Sequence, residues 1–209
     1  MGKGQATRAT IMQEALAVAS QVGIEGLTIG VLAERLGLSK SGLFAHFGSR
    51  EALQVAVIQA AQDEFVELAV RPALQAPRGL ARIRSLFDHW LARHDVPGRS
   101  GGCPLLGATA EFDDRPGAVR DQLARGQRDL RQLLINLVQY AQDTGELRRE
   151  RSAQDLAFEL FGFIAAAHHD LRLLDDAAAP ARARAAMEYL LASHRAPGLE
   201  SADDTDGRR

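Results

Sequence analysis

The segment from Thr28 to Leu53, TIGVLAERLGLSKSGLFAHFGSREAL, admits few folds, because two helical stretches too short to stand alone meet at a turn and run on into a third. Ile29, Leu32, Ala33 and Leu36 recur at the spacing of one helical face. Thr28 is placed to cap that helix, since its hydroxyl can accept a bond from an otherwise unpaired N–H of the first turn. Gly37 ends it, at a position where a residue without a β-carbon turns most easily into the left-handed region. Ser39 caps a second helix from Lys40 to about His46 whose apolar side is Leu43, Phe44 and Phe47. Isolated helices shorter than about 12 residues are marginal in water, so both must pack on each other and on a third. Ala33 suits a close crossing. The outer side of the second helix carries Lys40, Ser41, Ala45 and His46, donors and small side chains that match a phosphate backbone and base edges.

The end of this segment, Phe44-Ala45-His46-Phe47-Gly48-Ser49-Arg50-Glu51, resembles the helix-turn-helix of the TetR/AcrR family of transcriptional regulators. Phe44 stands where Tyr is usual and Arg50 where Lys is usual. The first change removes a hydroxyl that contacts phosphate, and the second keeps the charge and adds a planar fork. The resemblance implies that Thr28, His46 and Arg50 meet backbone phosphate, that Lys40, Ser41 and Gly42 meet bases, and that Phe44 belongs to the same surface. It also implies a homodimer on a pseudo-palindromic double-stranded operator, released by a small-molecule effector, with no cofactor and no enzymatic activity.

Charge and composition agree with a head and a body of different character. The 209 residues carry a net charge of −2. Lys3, Arg8, Arg35, Lys40 and Arg50 outweigh Glu14, Glu25 and Glu34 in residues 1–50, so the head is +2 and the remainder −4. A modestly basic head on an acidic body fits a specific reader better than an architectural protein that coats nucleic acid. One cysteine excludes an internal disulfide framework. No run of about 18 apolar residues is present, and the start MGKGQATR lacks an apolar signal core, so the expectation is a cytoplasmic protein without a membrane partner.

Along the rest of the chain every periodic stretch is helical, and the expected fold is all-α. Residues 1–9 read as a loose arm or a solvated tail, with Lys3 and Arg8 available to phosphate. A helix with Ile11, Ala15, Leu16, Val18, Ala19 and Val22 on its apolar side ends at Gly23. Ser49 caps a connector helix that stops before Pro72, where Pro72 and Pro77 mark a linker. Further helices are expected over 78–94, 104–112, from Pro116 to Gly145, behind Ser152-Ala153-Gln154-Asp155, and from Pro180 to His194. This divides the chain into a three-helix head (1–53), a helical body (54–196) and a disordered tail (197–209).

The helix after Ser152 is apolar nearly all round and must be covered on more than one side. The expected cover is a two-fold contact through Phe158, Ile164, His168, Leu171, Met187, Leu190 and Leu191, in accord with the resemblance, and an intramolecular core is the lesser alternative. Phe87, Trp90, Cys103, Phe112, Phe161 and His168 can line an apolar pocket with a few polar anchors, or form plain core, and the resemblance favours the pocket. Cys103 with His89 or His168 would be the only basis for a thiol enzyme, which would leave the basic head unexplained. The glycines at 98, 101 and 102 lack the Gly-Lys-Ser/Thr ending of a phosphate loop. His168 and His169 are about 100° apart on a helix, and His89 and His94 are five apart, so no metal site is expected.

Overall fold

A computed structural model describes residues 3–93 and 101–197, with side chains from Arg8 onward. The expected tail from residue 198, the loop residues 97–100, the side chain of Lys3 and the end of a helix at His94 lie outside the described residues. Among those described there are ten α-helices and no strand, so the fold is all-α.

The head is α1 (Lys3–Gly26), α2 (Ile29–Leu36), α3 (Lys40–Phe47) and the first turns of α4 (Arg50–Phe65). Helix α1 begins at Lys3, so the segment expected as a loose arm is helical from there. It does not stop at Gly23 but kinks there, with φ 77° and ψ 170°, before a last half-turn. Ile11, Ala15, Ala19, Leu32, Leu43 and Leu53 share one apolar core. That core does not close within the head. Ala108 and Phe112 of α7 (Pro104–Phe112), and Val119 and Leu123 of α8 (Ala118–Asp143), are buried in the same cluster. The head core also runs along α4 to Ala61, beyond which Phe65 belongs to the body core.

Pro72 does not end the connector. After Phe65 the chain passes through a π turn, Val66–Val70, and continues as α5 (Arg71–Gln75) with the proline in its first turn. The Arg71 N–H donates to Val66 O, five residues back. The widened ladder carries the chain past a residue that has no N–H and whose ring crowds the carbonyl four residues earlier. Pro116 also differs from expectation. It lies in the bend before α8, which starts only at Ala118.

The body core is built by α6 (Leu80–Ala92), α8, α9 (Ala153–Leu173) and α10 (Ala179–Ser193). Ser152 caps α9 as expected, its Oγ accepting from Asp155 N at 3.1 Å. Ile164, Met187, Leu190 and Leu191, expected on the dimer face, are buried in this intramolecular core. The reason is angular. Residues two apart on α9 point roughly 200° apart, so Ile164 faces inward while Gly162 and Ala166 face outward. Leu171 and His168 are half-buried, Phe158 projects outward at 68% exposure with the Arg131 guanidinium over its ring at 5.7 Å, and Tyr189 of α10 is 77% exposed.

Candidate nucleic-acid interface and effector cavity

Helix α3 is held by one anchor. Leu43 is fully buried, whereas Lys40, Ser41, Gly42, Phe44, Ala45 and His46 are exposed and Phe47 is half-buried. Each short helix has its own cap: Thr28 Oγ1 accepts from Val31 N at 3.1 Å at the start of α2, and Ser39 Oγ accepts from Gly42 N at 3.1 Å at the start of α3. Between them Gly37 adopts φ 63°, ψ 27°, and Leu38 N donates to Ala33 O at 2.9 Å, which closes the turn. Ala33 is buried at the crossing, as its size suggested. Thus Thr28 is engaged in capping, while Lys40, Ser41, Gly42, Phe44 and His46 form one contiguous exposed surface on α3.

Arg50 flanks this surface at the first residue of α4. Its Nη2 donates to Glu25 O and lies 3.3 Å from Glu25 Oε1. Arg8, expected to be free for phosphate, stacks its guanidinium over the Phe47 ring at 5.6 Å. Glu25 drew no functional reading from the sequence, where it is one acid between Ile24 and Gly26.

A cavity of about 440 Å³ opens between α4, the π turn, α6, the start of α7 and α8. Its apolar wall includes Phe65, Val66, Val70, Trp90, Leu106 and Leu130, and its polar end Gln59, Gln62, Gln122 and Arg125. Gln122 Nε2 donates to Gln59 Oε1 at 2.6 Å and to Gln62 Oε1 at 2.7 Å, and Arg125 Nη2 donates to Gln122 Oε1 at 2.6 Å. Of the residues expected to line a pocket, Trp90 and Cys103 do so. Phe161 lies behind the wall, its ring 6.0 Å from that of Trp90 and 3.9 Å below the Arg131 guanidinium. Burial pushes that guanidinium below its usual range. Phe87 is in the body core and Phe112 in the head core. The three glutamines were missed, although Gln59 and Gln62 sit one turn apart on the connector, a polar signal on a helix otherwise read for its apolar side.

His168 Nε2 accepts the backbone N–H of Cys103 at 3.1 Å, so this nitrogen serves the peptide rather than the thiol. His89 Nδ1 donates to Ser85 O at 2.7 Å within its own helix. Among the described residues, no three His, Cys, Asp or Glu side chains converge on a metal position, and no helix is long and apolar enough to cross a membrane.

Comparison with known proteins agrees with this geometry. Residues 11–57 match the family described as bacterial regulatory proteins, tetR family, and residues 79–187 match the tetracyclin repressor-like C-terminal domain. A TetR transcriptional regulator from Chloroflexus aurantiacus superposes with a TM-score of 0.85 at 26% identity, over 94% of this chain and 99% of that one. The tetracycline repressor protein class A from transposon 1721 of Escherichia coli is 41% identical over 120 residues, 56% of this chain and 50% of the repressor. The HTH-type transcriptional repressor AcnR of Corynebacterium jeikeium is 30% identical over 92 residues, 44% of this chain and 49% of that protein. The chain spans about half the length of these two curated relatives. A helix-turn-helix whose second helix is exposed on all but one anchor, joined to a helical body with a cavity, matches the two family domains in order and extent: the chain belongs to the tetR family of bacterial regulatory proteins, DNA-binding transcription regulators rather than enzymes.

Proposed function

We propose that this protein is a cytoplasmic, homodimeric repressor that reads a pseudo-palindromic operator and leaves it when a small molecule fills the body. The observation that carries the reading is α3: eight residues whose single buried side chain is Leu43, leaving Lys40, Ser41, Gly42, Phe44 and His46 to be covered by a partner. In the major groove Lys40 and Ser41 reach base edges, and Thr28, His46 and Arg50 hold phosphate on either side. In a two-fold dimer the two α3 helices enter successive grooves, which sets the half-site spacing at about one helical turn or somewhat more. The outward side chains of α9 and α10, Phe158 and Tyr189 foremost, support an isologous contact there. Residues 1–53 are the DNA-binding unit and 54–196 the effector and dimer unit.

The cavity supports the effector. Its lining is mostly apolar with an amide cluster at one end, the usual make-up of a small-molecule site. An effector acts by preferring the body conformation whose head spacing no longer fits both grooves, and its leverage is its differential affinity for the two states.

The test is a fluorescence titration against duplex from the region upstream of its own gene, at about 150 mM salt with random duplex as competitor. Competitor-resistant binding with two protomers per site is the expected result. Binding no tighter than to random duplex, followed by failure of a selection from random DNA to yield any consensus, would reject the reading.

A further inference from the structure

Glu25 is the point at which head, connector and body meet in one side chain. It follows the kink at Gly23, and three elements converge on it. Arg50, the first residue of α4, bonds its carbonyl and lies 3.3 Å from Oε1. Arg115, in the bend between α7 and α8, lies with Nη1 3.2 Å from Oε2. Glu111, in the last turn of α7, accepts the Glu25 backbone N–H on Oε2 at 2.8 Å. All three side chains are open to water: those of Glu25 and Arg50 are 46% exposed and that of Arg115 58%. On the reading of Arg50 as a phosphate contact, a DNA phosphate would meet this same side chain.

We propose that Glu25 positions and regulates Arg50: its carboxylate competes with DNA phosphate for that guanidinium, and Arg115 from the body weakens the competition by sharing the charge. The inference rests on the reading of Arg50 as a phosphate contact. A carboxylate held by two guanidiniums attracts each less than it would attract one alone, because the two cations repel and divide the same acceptor. When Arg50 turns to phosphate, Glu25 keeps Arg115 and does not present a bare negative charge beside the DNA. If Arg115 withdraws, the uncompensated carboxylate both retains Arg50 and repels the backbone.

The connection to the cavity is short. Helix α7 begins at the cavity wall, where Cys103, Leu105 and Leu106 line it, and ends in the turn that carries Glu111, with Arg115 just beyond. A shift of α7 on filling the cavity therefore moves both groups that the body places on Glu25. This route does not require the head to swing as a rigid unit.

A double-mutant cycle tests it. The probe is duplex selected from random DNA by the wild-type protein, titrated by fluorescence anisotropy at about 150 mM salt. Glu25→Gln preserves the side chain's shape and both backbone bonds. Exposed ion pairs are worth about 0.2–1 kcal/mol, so Glu25→Gln is expected to tighten binding by up to about fivefold and Arg115→Gln to weaken it by a similar factor. In the Glu25→Gln background Arg115→Gln should have a clearly smaller effect. Equal factors for Arg115→Gln in both backgrounds, or weaker binding by a folded Glu25→Gln protein, would overturn the proposal. Arg50→Ala separates it from the underlying reading: it should weaken binding and make Glu25→Gln silent. If Arg50→Ala leaves the affinity unchanged, the competition model fails, while a selected consensus altered by Lys40→Ala would still establish a DNA reader. Circular dichroism and thermal melting confirm that each variant is folded.

Discussion

The side-chain amide of Gln62 occupies the space in which a β-carbon on residue 126 would stand, so α8 carries Gly126 in mid-helix directly opposite it. The glycine sets how closely α4 approaches α8 at the polar end of the cavity, and the amide it admits bonds Gln122 in both directions.

Gly126 costs α8 about 1 kcal/mol relative to alanine in intrinsic helix stability. Gly126→Ala should recover that amount only after the amide is removed. Chemical denaturation is expected to show a gain of about 1 kcal/mol in a Gln62→Ala background, and a smaller gain or a loss in the wild-type, where the methyl group evicts Gln62 from Gln122. Equal gains in both backgrounds would mean that the amide moves aside without cost.

Gly23 has a different constraint. Its φ of 77° is one that L side chains rarely adopt, and an added β-carbon would collide with the Glu111 carboxylate. Gly23→Ala should destabilise the protein by about 1–3 kcal/mol, read as a lower thermal midpoint. Pairing it with Glu111→Ala should recover the steric part of that loss and leave the backbone part.

At the DNA surface, phosphate and base contacts make different predictions. Arg50→Ala should weaken binding to all sequences alike and reduce the salt slope by about one. His46→Ala should also weaken all sequences alike. Lys40→Ala should instead change the preferred sequence in a repeated selection. The same proportional loss on selected and random duplex for Lys40→Ala would remove Lys40 from base reading.

The outer face of α9 and α10 can be tested apart from the core behind it. Phe158 and Tyr189 are exposed in the protomer, so Phe158→Asp or Tyr189→Glu should leave the fold intact and raise the dimer dissociation constant at least tenfold, about 1.4 kcal/mol. Sedimentation velocity and circular dichroism together read both quantities. Ile164→Asp should unfold the protomer instead, since an unpaired charge would replace a side chain with no exposed surface.

The head was legible in the sequence because its signals are local. Thr28, Ser39 and Ser49 each cap within three residues of themselves, and Gly37 turns the chain where it stands. The body was legible as helices but less so as surfaces. Apolar spacing places Ile164 and Phe158 on one helix without saying which neighbour covers each, and it could not assign Phe112 to the head core, because that depends on α7 docking against α1. Glu25 and the three glutamines at the cavity are ordinary polar residues until remote segments converge on them.

The π turn has a consequence for angular phase. From Val57 the connector buries every fourth residue in turn: Val57, Ala61, Phe65, Ala69 and Ala73. In an ideal α-helix each such step overshoots a full turn by about 40°, so after four steps the stripe would have precessed nearly to the opposite side. The turns at Val66–Val70 are wider, advance less per residue, and take back part of that precession. A straight seam of small and aromatic residues can therefore face inward from the head core to Ala73. Deleting one residue from the π turn would restore regular winding and rotate everything after it by about 100°, exposing Ala73 and turning the polar side of α5 inward.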